Sequence, residues 1–260
     1  MTSSSVRRHK ATGLVVLMVG LLTTGIGYAA VTGSAEASAP AASASQVEEG
    51  KKLYLEGCAT CHGLAAQGST DGPSLIGVGA AAVDFQVSTG RMPGVGPNNQ
   101  APRKPYSYSA DEVAALAAFV ASLAPGPAIP TAEDLNTDDA SLAEGGELFR
   151  TNCAQCHNFA GKGGALSDGK YAPTLMNSSD KVIWEAMATG PQNMPNFPDT
   201  TLPAEQKQAI IKYVKNLQNG DAPGGLALGS FGPVTEGVFT WTAGLGALLL
   251  AAVWIGAKVR

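Results

Sequence analysis

The 260 residues contain four cysteines, and all four stand in two copies of one five-residue pattern, Cys58-x-x-Cys61-His62 and Cys153-x-x-Cys156-His157. At this spacing two thiols can form thioether bonds to the vinyl groups of a porphyrin while the adjacent imidazole turns inward to ligate the iron. This is the attachment pattern of c-type haem. Chance matches to it in a chain of this composition number on the order of 10⁻³, so two occurrences that use every cysteine indicate chemistry. A thioredoxin-like redox pair calls for a βαβ setting that the pattern of the chain does not offer, and a zinc site gives no reason for a duplicated surround.

Each iron needs a second axial ligand. The chain has three histidines; two belong to the motifs, and His9 precedes a long apolar segment that places it across the membrane from them. Bis-histidine coordination is therefore excluded, and methionine thioether is the expected partner. Met92, Met176, Met187 and Met194 are the candidates. Aligning the chain on itself at an offset of 100 sets Met176 on Ile76 and Met187 on Val87, whereas Thr89-Gly-x-Met92-Pro93 and Thr189-Gly-x-x-x-Met194-Pro195 recur. Met92 and Met194 are the expected ligands, and Met176 and Met187 are expected to pack. An iron closed on both faces has no open position for oxygen or peroxide, which makes each site an electron carrier. Pro73 and Pro173 stand where a backbone carbonyl could accept the proximal histidine N–H, though ordinary loop prolines are an equal alternative.

The elements that must position these residues repeat as well. At an offset of 95, Glu49-Gly50 aligns with Glu144-Gly145 and Leu53-Tyr54 with Leu148-Phe149; after the histidine the offset grows to 100, because the second copy has five extra residues in its Gly-rich stretch. Each copy closes with apolar residues at helical spacing, in Ser109–Leu123 and Leu202–Leu217. The chain thus reads as two tandem copies of one small helical domain, residues 47–124 and 141–220. A domain of roughly 80 residues buries little apolar surface alone and benefits from a cofactor at its centre.

Both ends are apolar. Residues 11–31 carry no charge over 21 positions and follow Arg7, Arg8 and Lys10, a length that crosses a ~30 Å hydrocarbon core. The segment 1–46 is a transmembrane anchor or, given the small residues of Ala29–Ala44, a signal peptide. Residues 237–257 are again 21 uncharged positions, between Glu236 and the Lys258/Arg260 tip, and read as a transmembrane anchor preceded by a linker, 221–236. The haem domains then lie on the extracytoplasmic, periplasmic side and the C-terminus in the cytoplasm.

A net charge of −4 with no basic cluster beyond the N-terminus excludes nucleic acid as a partner. The first domain sums to −2 and the second to 0, while residues 125–140 hold four acids and no base. Glu133, Asp134, Asp138 and Asp139 keep this Pro-rich linker solvated or guide a basic redox partner. Its stiff start, Pro125–Pro130, is expected to hold the two haems close enough for direct electron transfer. The segment Gly94–Tyr108, with few apolar anchors, reads as a partner-docking loop or a tolerated insertion.

Two fused Cys-x-x-Cys-His domains, Glu-Gly-x-x-Leu-Tyr/Phe before each motif, Thr-Gly-x-Met-Pro after it and a C-terminal anchor with a basic tip resemble the dihaem cytochrome c subunit of the actinobacterial menaquinol:cytochrome c reductase, the cytochrome bc complex. The resemblance covers residues 47–260. It implies a mostly α chain: two class I cytochrome c-like helical domains, a C-terminal transmembrane helix and an N-terminal transmembrane or signal segment. It implies two covalent haem c groups, on Cys58/Cys61 and Cys153/Cys156, with His62, Met92, His157 and Met194 as axial ligands. It further implies that the subunit sits in the cell membrane beside a Rieske iron-sulfur subunit and a cytochrome b subunit. The resemblance implies that electrons would pass from the Rieske protein to the copper centre of a cytochrome c oxidase. The second domain would lie near the Rieske protein and the first would face the oxidase. Such a chain belongs to an oxidoreductase complex, a translocase, and turns over no substrate by itself. The alternatives are a dihaem subunit of another periplasmic dehydrogenase, a free-standing anchored shuttle and, from a different class, a dihaem peroxidase-like enzyme.

Overall fold

The computed structural model describes residues 5–32, 42–96, 100–220, 228 and 233–258. The stretch 33–41, most of the 221–236 linker and the terminal Arg260 lie outside the described residues, as do the side chains of Arg7, Arg8, His9 and Lys10.

Helix α1, Ser5–Thr32, belongs to a unit of its own, separate from Ala42–Arg260. Within its described side chains the apolar stretch is Thr12–Gly27. The second unit opens with α2 (Ala44–Gly57), α3 (Ala59–His62), α4 (Gly79–Ser88) and α5 (Ala110–Leu123). It continues with α6 (Leu142–Asn152), α7 (Ala154–His157), α8 (Asp180–Thr189), α9 (Ala204–Asn219) and α10 (Pro233–Lys258). A two-stranded antiparallel pair, β1 (Gly164–Ala165) and β2 (Tyr171–Ala172), fills the extra length of the second copy after its histidine.

The same local rules start corresponding helices. Ser43 and Ser141 accept hydrogen bonds from the N–H groups of Gln46 and Glu144, capping α2 and α6, and Ser109 with Glu112 forms a capping box at the head of α5. Each domain is then held by a crossing of its first and last helices, α2 on α5 and α6 on α9. A glycine sits at each crossing: a Cβ on Gly50 would collide with the Ala115 carbonyl, and one on Gly145 with the Ala209 carbonyl. Beside each glycine an aromatic pair tilts at 45°, Tyr54 on Phe119 at 5.2 Å and Phe149 on Tyr213 at 5.4 Å. The first core gathers Tyr54, Val87, Val113, Leu116 and Val120; the second gathers Phe149, Ile183, Trp184, Ile211 and Val214.

Residues 125–140 are not a free tether. Pro127 accepts from the Ala81 N–H on α4, while Glu133 and Asp138 offer backbone carbonyls to Gln208 and Lys212 of α9. Leu135 packs against the second core. The carboxylates of Glu133, Asp138 and Asp139 remain exposed.

Among the described residues, Val234–Lys258 is the one helix long and apolar enough to cross a membrane. Its Leu248, Leu249, Leu250, Trp241 and Trp254 are exposed, a surface suited to hydrocarbon.

Candidate functional site

Each Cys-x-x-Cys-His turn is built the same way. The first cysteine ends the preceding helix, its N–H bonded to the carbonyl of Tyr54 or Phe149, and its own carbonyl then accepts the N–H groups of the second cysteine and the histidine. The residue after each histidine has positive φ with extended ψ, Gly63 at φ +80°, ψ 155° and Asn158 at φ +64°, ψ 151°, a region that suits glycine and strains asparagine. The chain then loops back. Gly68 and Gly163 donate to the histidine carbonyls, and Leu75 and Leu175 donate to Ala66 and Gly161.

That loop carries the prolines past the imidazoles. His62 Nδ1 lies 2.7 Å from the Pro73 carbonyl oxygen, and His157 Nδ1 lies 2.9 Å from that of Pro173. Since a carbonyl only accepts, Nδ1 holds the proton and the Nε2 lone pair is left for a metal. Both histidines are 8% exposed, and burial lowers the His157 pKa, keeping it in the neutral form that iron requires. Burial also raises the Cys58 thiol and pushes Cys153 up to about 11, with the neighbouring Cys156 adding to the shift. A dithiol redox pair needs the opposite shift.

In the second domain these groups open onto a cavity of about 400 Å³. Cys153, Cys156 and His157 line it, as do Phe149, Leu175, Ile183 and Val214. Met194 stands half-buried on it, in the loop after α8. Met187 also reaches it but is 2% exposed and part of the packed core, as expected of a packing residue. Met176 instead packs towards Gly161. In the first domain Met92 and Cys58 pack against the same cluster of buried residues, with the Met92 N–H bonded to the Gln86 carbonyl. Thiols, a neutral imidazole, a thioether and apolar walls fit a porphyrin iron.

The segment Gly94–Tyr108 docks, and its described residues dock on the second domain of the same chain. The Gln100 side-chain amide pairs with the Tyr171 backbone on β2 through two hydrogen bonds, at 2.6 and 3.0 Å. Gln192 does the reverse with the Ala101 backbone, at 3.0 and 3.3 Å, and Arg103 donates to the Asn177 carbonyl at 3.2 Å. A second bridge joins the domains through α4 and α8, where Lys181 lies 2.6 Å from Asp84 and 3.9 Å from Glu185. Glu185 is fully buried and neither carboxylate oxygen has a hydrogen-bond partner; burial, then the charge of Asp84, pushes it up to about 8. Sequence periodicity marked none of these residues, since Gln100 and Glu185 acquire their roles only through residues 71 to 101 positions away.

Residues 47–124 match the family model described as cytochrome c, and residues 140–214 match that of cytochrome c oxidase, cbb3-type, subunit III. With their paired motifs and helix crossings, these are two cytochrome c-type domains, and their two Cys-x-x-Cys-His sites support haem c.

The "Cytochrome bc1 complex cytochrome c subunit" of Corynebacterium diphtheriae is 45% identical over 267 residues, covering 96% of this chain and 95% of that protein. The protein of the same name from Mycobacterium tuberculosis H37Rv is 45% identical, with 96% and 92% covered. This chain belongs to the family of cytochrome bc1 complex cytochrome c subunits. Among solved structures, a reducing HAO-like protein complex of Kuenenia stuttgartiensis aligns with 65% of this chain and 96% of its own, at a TM-score of 0.36 and 15% identity.

Proposed function

We propose that residues 47–124 and 141–220 each hold one haem c through Cys58/Cys61 and Cys153/Cys156. His62 and Met92 are the axial ligands of the first iron, and His157 and Met194 those of the second. The observation that carries this reading is the duplicated turn in which a proline carbonyl holds Nδ1 and frees Nε2. When bound, the haem supplies a one-electron couple. The chain's own residues do the rest: the Pro73 and Pro173 carbonyls set the tautomer and orientation of the imidazoles, the thioethers close the distal faces, and the apolar walls exclude water.

In this reading the chain is a membrane-held respiratory electron carrier between the Rieske iron-sulfur subunit and the copper centre of a terminal oxidase, assembled with a cytochrome b subunit. Its family membership supports the assembly. The exposed apolar helix α10 supports the anchor, with the haem domains outside and the C-terminus in the cytoplasm. The N-terminal helix serves as a second anchor or as a leader.

Purification from membranes tests this. We expect two equivalents of thioether-linked haem in the pyridine haemochrome assay and copurifying haem-b and Rieske subunits. A near-infrared thioether-to-iron band should be halved in Met92→Ala and in Met194→Ala. Haem that binds carbon monoxide in the unaltered protein would refute the two-thioether assignment.

A further inference from the structure

Among the described residues, the charged groups lining the second domain's cavity are Arg91, Arg103 and Lys170, three cations with no carboxylate among the lining side chains. Two of the three belong to the first domain. Arg91 is 9% exposed, its guanidinium carbon lies 4.7 Å from the centre of the Phe85 ring, and its buried Nη1 has no hydrogen-bond partner among the described residues. Arg103 is carried to the cavity by the strap that Gln100 and Ala101 fasten to the second domain, and it spends one N–H on the Asn177 carbonyl. Lys170 reaches Asn193 at 3.2 Å.

Burying a guanidinium nitrogen without an acceptor is costly, and such groups are normally met by an anion. The cavity walls provide none, so the occupant must bring it. An apolar cavity with thiols, an imidazole and an excess of cations matches one kind of guest: a flat apolar ring system carrying carboxylates. Haem, with its two propionates, is that guest.

We propose that Arg91 and Arg103 of the first domain bind the propionates of the haem held by the second domain, so that this haem site is completed by its neighbour. The inference rests on the reading of residues 141–220 as a haem domain. Docking of the strap and closure of the second haem site are then one event, and the interdomain geometry becomes part of the cofactor's environment. Positive charge near the propionates disfavours the ferric state, which carries one more positive charge, and so raises the potential of the second haem.

The test is a redox titration of the full-length protein in detergent, comparing wild type with Arg103→Gln, Arg103→Lys and Arg91→Gln. The second haem's midpoint is identified as the one displaced in Met194→Ala. Arg103 is exposed, so its removal leaves the fold intact; Arg91 adjoins Met92, so its variant is read with the near-infrared band as a check on the first haem. In Arg103→Gln the reduced-to-oxidised ratio of the second haem at a fixed potential should fall about threefold, ~30 mV given 59 mV per tenfold for one electron. The first midpoint should stay in place, and Arg103→Lys should recover part of the loss. A second midpoint that does not move in Arg103→Gln, or equal shifts of both midpoints, overturns the proposal. Failure of the haem reading looks different: fewer than two haemochrome equivalents in the wild type.

Discussion

Glu185 makes a sharp prediction about pH. It sits on α8 at the contact with α4, 0% exposed, and neither oxygen has a hydrogen-bond partner among the described residues. Asp84 faces it from α4 and Lys181 lies on its own helix, while the lysines of α9 are engaged elsewhere, Lys207 with Asp199 and Lys215 with Asp180. Its carboxyl is held at about 8 against an ordinary 4.5, mainly by burial. Between these values the folded chain keeps a proton that the unfolded chain has released, so folding loses stability as pH rises through that window and levels off above it. At about 1.4 kcal/mol for each pH unit between the two values, ionising Glu185 costs the folded state on the order of 5 kcal/mol.

Glu185→Gln removes the titration while keeping the shape. Thermal unfolding of the detergent-solubilised protein, followed by circular dichroism from about pH 5 to about pH 8.5, should show near-equal stability at the acid end. The variant should then gain roughly 10 °C over wild type by the alkaline end, at ~2–4 °C per kcal/mol for a chain of this size. Other titrating groups are common to the two proteins and cancel in the difference between them. Parallel curves for wild type and variant would refute the reasoning.

Gly145→Ala places a methyl against the Ala209 carbonyl; forcing α6 from α9 should cost about 1–3 kcal/mol in thermal unfolding and reduce haem loading at the second site. Tyr54→Phe deletes the hydroxyl that donates to the Gly63 carbonyl, next to His62, and should cost about 1 kcal/mol with both haems retained by pyridine haemochrome.

The sequence by itself determined the parts of this protein that are local. Cys58-x-x-Cys61-His62 and its repeat define their own turn, because each backbone bond that shapes it spans at most four residues. Gly50 and Gly145 were legible as repeated positions, though only the structure shows them at the helix crossings, and an uncharged C-terminal run is apolar whatever surrounds it. The prolines were legible only as two alternatives. Which atom meets the histidine depends on a loop closure 11 residues away in one domain and 16 in the other, and the structure decided it.

What joins the domains was decided by tertiary structure alone. Gly94–Tyr108 looked unanchored because its anchors are hydrogen bonds to Tyr171, Asn177 and Gln192, made by polar side chains without periodicity. Glu185 and Arg91 carried no signal of their own in the sequence. Burial is a property of what packs against a residue, and the contacts that matter here, Asp84 facing Glu185 and the second domain's cavity beside Arg91, join one copy of the repeat to the other, which aligning the copies does not reveal.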